Sequence, residues 1–179
     1  MKKSAALLFL LSCIVLSGCA ATVKRPTAGA APLAIPAVAT TRIQLHVKGT
    51  PEMTASDDWT FFRTQWRTAM AEAAAAEGRE FVWLDSLPSS FDGPGTLVVV
   101  TVTDYRYVST GARYGLGVMT GNARAEAEAT FHVLPEQRLA GTREYSTSST
   151  AWQGIFSAMT PKQLAAIAAQ MIRDIDARD

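Results

Sequence analysis

Two imidazoles, His46 and His132, are the only ones in the 179 residues, and hydroxyls crowd the stretch from Thr142 to Thr150. A histidine with Asp85 or Asp104 behind it and a serine or threonine in front would make a hydrolytic constellation, because nucleophile, base and orienting acid must meet within hydrogen-bond reach. Both histidines fall on the polar side of alternating segments, and no spacing brings the three groups together. Neither belongs to an H-x-x-x-H pair of the kind that holds a metal. Gly115-Leu116-Gly117 with Gly121 has the look of a phosphate loop, but Thr120 stands where the third glycine of G-x-G-x-x-G belongs. The segment also leads into a strand, whereas phosphate binding needs a helix N-terminus. No catalytic or metal site is therefore expected. Recognition is the remaining chemistry: Tyr105, Arg106 and Tyr107 end a long apolar run, with Arg113 and Arg124 beyond. Aromatic and arginine groups concentrate in binding hot spots. Tyr114, Leu116, Val118 and Met119 add apolar groups to a glycine-rich connection, so these residues are the candidates for partner binding.

A second kind of chemistry sits at the N-terminus, where Lys2 and Lys3 precede an apolar run from Ala5 to Leu16 and then Leu16-Ser17-Gly18-Cys19. The run falls short of the roughly 20 residues that span a bilayer. The segment resembles a bacterial lipoprotein signal peptide with its lipobox. That resemblance implies cleavage before Cys19, a diacylglycerol on its thiol and a third acyl chain on its new amine. Each buried methylene contributes about 0.8 kcal/mol, so two or three chains hold a protein at a membrane essentially permanently. Ala20 stands where an aspartate commonly retains enteric lipoproteins in the inner membrane, so the resemblance implies the outer membrane, facing the periplasm. With Cys13 discarded and Cys19 acylated, no thiol remains in the folded body, which excludes a disulfide, a cysteine nucleophile and a thiolate metal site. The covalent lipid is the only non-protein group expected.

Residues 19–41, rich in Ala, Pro and Thr with Pro26, Pro32 and Pro36 spaced along them, are expected to form a flexible tether reaching roughly 25–60 Å. The body, 42–179, is long enough for one domain. Seventeen Lys plus Arg stand against sixteen Asp plus Glu, and loss of Lys2 and Lys3 leaves fifteen against sixteen. Such a balance gives no basic face for nucleic acid.

The elements that must position these residues follow from periodicity. Ile43, Leu45 and Val47 alternate with Gln44, His46 and Lys48, predicting a strand over 42–48. Thr54 to Asp57 offer N-caps for a helix whose stripe is Trp59, Phe62, Trp66, Ala69, Met70 and Ala73, ended by Gly78. Residues 80–85 lack alternation, predicting a short strand covered on both faces. A Pro/Gly loop follows, then a long central strand over 96–109. The alternation of 122–133 puts Ala123, Ala125, Ala127, Ala129, Phe131 and Val133 on one face, and the small alanines predict a helix lying close against it. Residues 139–150 read as an edge strand, and antiparallel meander is the economical arrangement. Trp152, Ile155, Phe156 and Met159 space as a short core-facing helix. Thr160, Pro161 and Gln163 start a last helix with Leu164, Ile167, Ala168, Met171, Ile172 and Ile175 on one face. The fold class is α+β: a mostly antiparallel sheet of about five strands, two helices on one face, in the order β-α-β-β-β-β-α.

Taken together, the lipobox, the strand and long helix, Gly78-Arg79-Glu80-Phe81-Val82, the valine-rich strand, the glycine hairpin with its alternating return and the alanine-rich closing helix resemble the bacterial lipoproteins grouped as domain of unknown function 4410. The element order also resembles lipoproteins of the curli-secretion and penicillin-binding-protein-activator group. What this implies is a non-enzymatic accessory or structural component of a cell-envelope assembly, bound to an unidentified envelope protein, with self-association left open. Two alternatives stand beside it. One is a binder of lipid or a small hydrophobic ligand, which requires an apolar pocket near Trp59, Trp66 and Trp83. The other is a hydrolase, which requires His46 or His132 beside a serine or threonine.

Overall fold

Alternation places Ile43, Leu45 and Val47 of strand β2 (Arg42–Lys48) on one face, where all three are buried. The computed structural model describes residues 23–24, 31–106, 124–148 and 159–177. Around β2 the chain builds a six-stranded sheet from β1 (Val23–Lys24), β3 (Glu80–Leu84), β4 (Gly95–Arg106), β5 (Arg124–Leu134) and β6 (Arg138–Ser148). The spatial order is β1-β6-β5-β4-β2-β3. Among the described residues three α-helices accompany it, α1 (Pro51–Thr54), α2 (Trp59–Ala76) and α3 (Met159–Asp176), with a 3-10 turn at Ala37–Ala39. The α+β class and the order of the main elements are as the periodicities predict, with β1 and α1 added.

The sheet is not a simple meander. Strands β4, β5 and β6 are antiparallel neighbours, but β2 pairs in parallel with both β3 and β4. The cause is α2: a strand followed by a packed helix returns in parallel beside its starting strand, and β2-α2-β3 is such a crossover. Consequently β3 is an edge strand, and the cover on both faces that its composition predicts is only partial. Phe81 and Trp83 lean against the helix-side core, while Leu84 joins Phe91, Leu97, Val99 and Leu134 on the other side, so both faces are apolar without the strand being central.

The cap of α2 also differs from expectation. Thr50 accepts a hydrogen bond from the Met53 N–H at 3.3 Å and starts α1, with Pro51 in the first turn. Asp58, at the start of α2, makes no side-chain cap. The α2 stripe is as read up to its last position: Trp59, Phe62, Trp66, Ala69 and Met70 are buried, Ala73 is half-buried with Ala74 buried beside it, and Gly78 takes φ +67° just after the helix. All six apolar positions read for α3 are buried as well. The helix layer rests on Ala125, Ala127, Ala129 and Phe131 of β5, so the small-residue face does lie under a helix.

Strand β6 is covered at its outer side. Residues 31–41, expected in the tether, are packed: Leu33, Ile35 and Ala39 are buried, and Ala34 N–H donates to the Ala140 carbonyl at 3.2 Å. Arg79 ties this segment down by donating to the Thr40 carbonyl and to Asp176. The leucine–isoleucine alternation is the physical reason, because it gives the proline-rich stretch a face to bury. Among the described residues no helix is long and apolar enough to cross a membrane.

Candidate functional site

The aromatic end of β4 is held by the helix layer. A register shift between Val102 and Asp104 turns Tyr105 toward that layer. Its ring stacks on Phe62 at a 4.2 Å centroid distance, and its hydroxyl donates to Asp58 Oδ1 at 2.6 Å and lies 2.7 Å from Ser56 Oγ. Asp58, at the N-cap position of α2, therefore serves as acceptor for Tyr105 and Ser56 and does not cap the helix. Burial first, and then the Asp58 hydrogen bond, push the Tyr105 phenol above its ordinary pKa. The neutral phenol is thus preferred in the fold. Its stabilisation is complete below the unfolded value near 10 and is lost as pH rises through the folded value. In urea titrations, the advantage of wild type over Tyr105→Phe is expected to shrink as pH climbs past about 10. A difference independent of pH would contradict this assignment.

Of the other partner-binding candidates, Arg106 ends β4 in the described backbone, while Tyr107, Arg113, Tyr114, Leu116, Val118 and Met119 lie outside the described residues, as do Cys19 and the 149–158 segment. Trp59 and Trp66 are buried and fill the core. Trp83 is half-buried at the margin of that core, with Arg63 over its ring at 5.1 Å and its Nε1–H donating to Asp85 Oδ1 at 2.9 Å. That hydrogen bond, reinforced by Arg63, holds the Asp85 carboxyl below its usual range. The three tryptophans do not enclose a common pocket among the described residues. A groove of about 440 Å³ opens elsewhere, between the C-terminal turns of α2 and α3, lined by Ala73, Ala76, Ile172, Arg173 and Asp176.

The histidines are separated. His46 Nδ1 meets the Leu84 carbonyl at 3.0 Å. His132 does meet a hydroxyl, with Nε2 3.3 Å from Thr130 Oγ1 and Nδ1 3.2 Å from the Gln137 carbonyl. The third member, an acid, is replaced there by a backbone carbonyl, and the pair stands two residues apart on one strand.

What sequence reasoning missed is on the sheet face away from the helices. Loop 85–94 covers part of it through Phe91, but toward the β4–β5–β6 side no other element among the described residues packs on the face. There Glu128 of β5 is directly opposite Glu144 of β6, and Glu126 is opposite Asp104 of β4. Asp104 is neutralised by Arg124 Nη2 at 2.5 Å, while Glu126, Glu128 and Glu144 line a shallow groove of about 330 Å³ with Thr103 and Ser146. Like charges directly opposite across strands are destabilising. The alternation of 124–133 showed the acids of β5, but only strand register shows that β6 answers them with another.

These features define a two-layer α+β module with one sheet face covered by helices and the other partly open. The chain matches no protein-family model and no curated protein. Among solved structures it is similar to a PelC dodecamer from Paraburkholderia phytofirmans, at 10% identity over 88% of this chain and 98% of that one, TM-score 0.50. It also aligns with a DUF330 protein from Xanthomonas campestris, at 11% identity over 76% of this chain and 86% of that one, TM-score 0.45. A minor lipoprotein from Acinetobacter baumannii aligns at 12% identity over 76% of this chain and 92% of that one, TM-score 0.35. At such identities the first likeness concerns the fold.

Proposed function

We propose that the protein is an outer-membrane lipoprotein, acylated at Cys19 and facing the periplasm, that works by protein contact as an accessory or structural component of an envelope assembly. The carrying observation is the carboxylate ladder on the sheet face away from the helices, with Glu128 opposite Glu144 and Glu126 opposite Asp104. A chain that keeps opposed carboxylates there gives up stability which a basic partner surface restores on docking. The ladder reaches toward Arg106 and Arg124, the strand ends between which the sequence carries the arginine, tyrosine and apolar candidates. A second copy of the chain is the first partner to test, since PelC, which shares the fold, forms a dodecamer.

Photo-crosslinking in living cells from Glu128, Glu144 and Tyr114 is expected to give discrete adducts, and Thr68 on the outer face of α2 none. Glu128→Lys separates function from folding: it turns a repulsive pair into an attractive one, worth about 0.2–1 kcal/mol of added stability, while abolishing the adducts. A more stable variant that crosslinks as before, or no adduct from any of the three positions, would end this reading.

A further inference from the structure

Strand β1 fixes where the N-terminal segment leaves the fold. Val23 pairs with Thr147 and Lys24 with Ser146, antiparallel to β6. Val23 also packs against the main core, so the pairing is held by a side chain as well as by the ladder. Traced backward from Val23, the chain heads toward Ser148, which is opposite Arg124, which in turn is opposite Arg106. Cys19 is four residues before Val23. Four residues span at most about 14 Å even when fully extended.

We propose that the end of the sheet marked by Arg106, Arg124 and Ser148 is apposed to the bilayer, with the Glu136 turn between β5 and β6 pointing away from it. This rests on acylation of Cys19. The lipid surface is the partner, and the short leash sets the orientation, because the charges that the register brings to this end are mixed: Arg124 stands with Asp104 and Glu126. Strand β5 carries the Glu136 turn about 35 Å further along. Asp92, whose carbonyl accepts from Arg42 at the start of β2, lies at the same far end of the strands as the Glu136 turn. The carboxylate ladder consequently works close to the membrane, and a partner that docks there approaches along the bilayer surface.

The mature body carries no cysteine other than Cys19, so single thiols can be placed at will. Full-length acylated protein bearing Arg124→Cys, Glu136→Cys or Asp92→Cys is labelled with a thiol-reactive fluorophore and reconstituted in phosphatidylethanolamine–phosphatidylglycerol vesicles containing a headgroup nitroxide lipid, a quencher acting only at short range. Quenching is expected to be several-fold stronger at position 124 than at 136 or 92. Insertion of about twenty Gly/Ser residues between Thr22 and Val23 lengthens the leash to roughly 25–30 Å and should erase that contrast. Equal quenching at the three positions, or a contrast that survives the insertion, overturns the orientation while leaving the anchor intact. Mass spectrometry of the mature N-terminus showing an unmodified Cys19 overturns the anchor, and the orientation with it.

Discussion

Phe62→Ala is expected to lower the free energy of unfolding by about 3–5 kcal/mol, which chemical denaturation of the mature domain would measure. Phe62 is fully buried and is the centre of the aromatic cluster: its ring lies 5.9 Å from Trp59, 6.4 Å edge-on from Trp66 and 4.2 Å over Tyr105. Truncation removes the transfer free energy of the ring and leaves a cavity that three bulky, mutually braced neighbours cannot collapse into, which puts the cost at the upper part of the range for such changes. The Tyr105 stack goes with it, and so does support for the end of β4. Phe61, one residue earlier and 63% exposed, is the internal control. Its alanine variant should stay within about 0.5 kcal/mol of wild type. A Phe62→Ala loss below that of Phe61→Ala would mean that the helix layer does not pack as described.

Ala129→Leu should cost about 3 kcal/mol, seen as a fall in Tm of roughly 10 °C. Ala129 is fully buried, has Val100 beside it on β4, and belongs with Ala125 and Ala127 to the face of β5 on which the helix layer rests. Added methylenes there have no void to enter, so the helix layer must lift or the side chain must leave its rotamer. Leucine at Glu128, one residue back on the opposite face, meets no helix among the described residues and removes a like-charge contact. Glu128→Leu is therefore expected to leave Tm unchanged or slightly higher, and equal losses at 128 and 129 would contradict the assignment of faces.

These two positions also show how far sequence could reach. The helical spacing of Trp59, Phe62 and Trp66 and the alternation of the β5 alanines each report a buried face through local periodicity, and the structure places both as read. Periodicity carries no information about which strands become neighbours. The run of residues 80–84 is apolar on both sides, which predicts cover on both faces, but says nothing of the edge position to which the crossover through α2 brings it. The proline-rich stretch before Arg42 lacks a helical or strand period long enough to read, and three of its residues, Leu33, Ile35 and Ala39, are enough to bind it to the sheet. Tyr105 is legible as an aromatic at a strand end, but its direction depends on a one-residue register shift that no local signal announces.

By itself the sequence determined the element types, the faces they bury, the thiol-free body and the chemistry expected at Cys19, because each of these depends on neighbours along the chain. Tertiary structure alone decided the parallel pairing of β2, the opposition of Glu128 to Glu144, and the antiparallel pairing of Val23 with Thr147. Those are contacts between residues distant in sequence, set by how twisted strands and a packed helix close on one another. A pattern with a period of two or 3.6 is the same whichever partner eventually covers it.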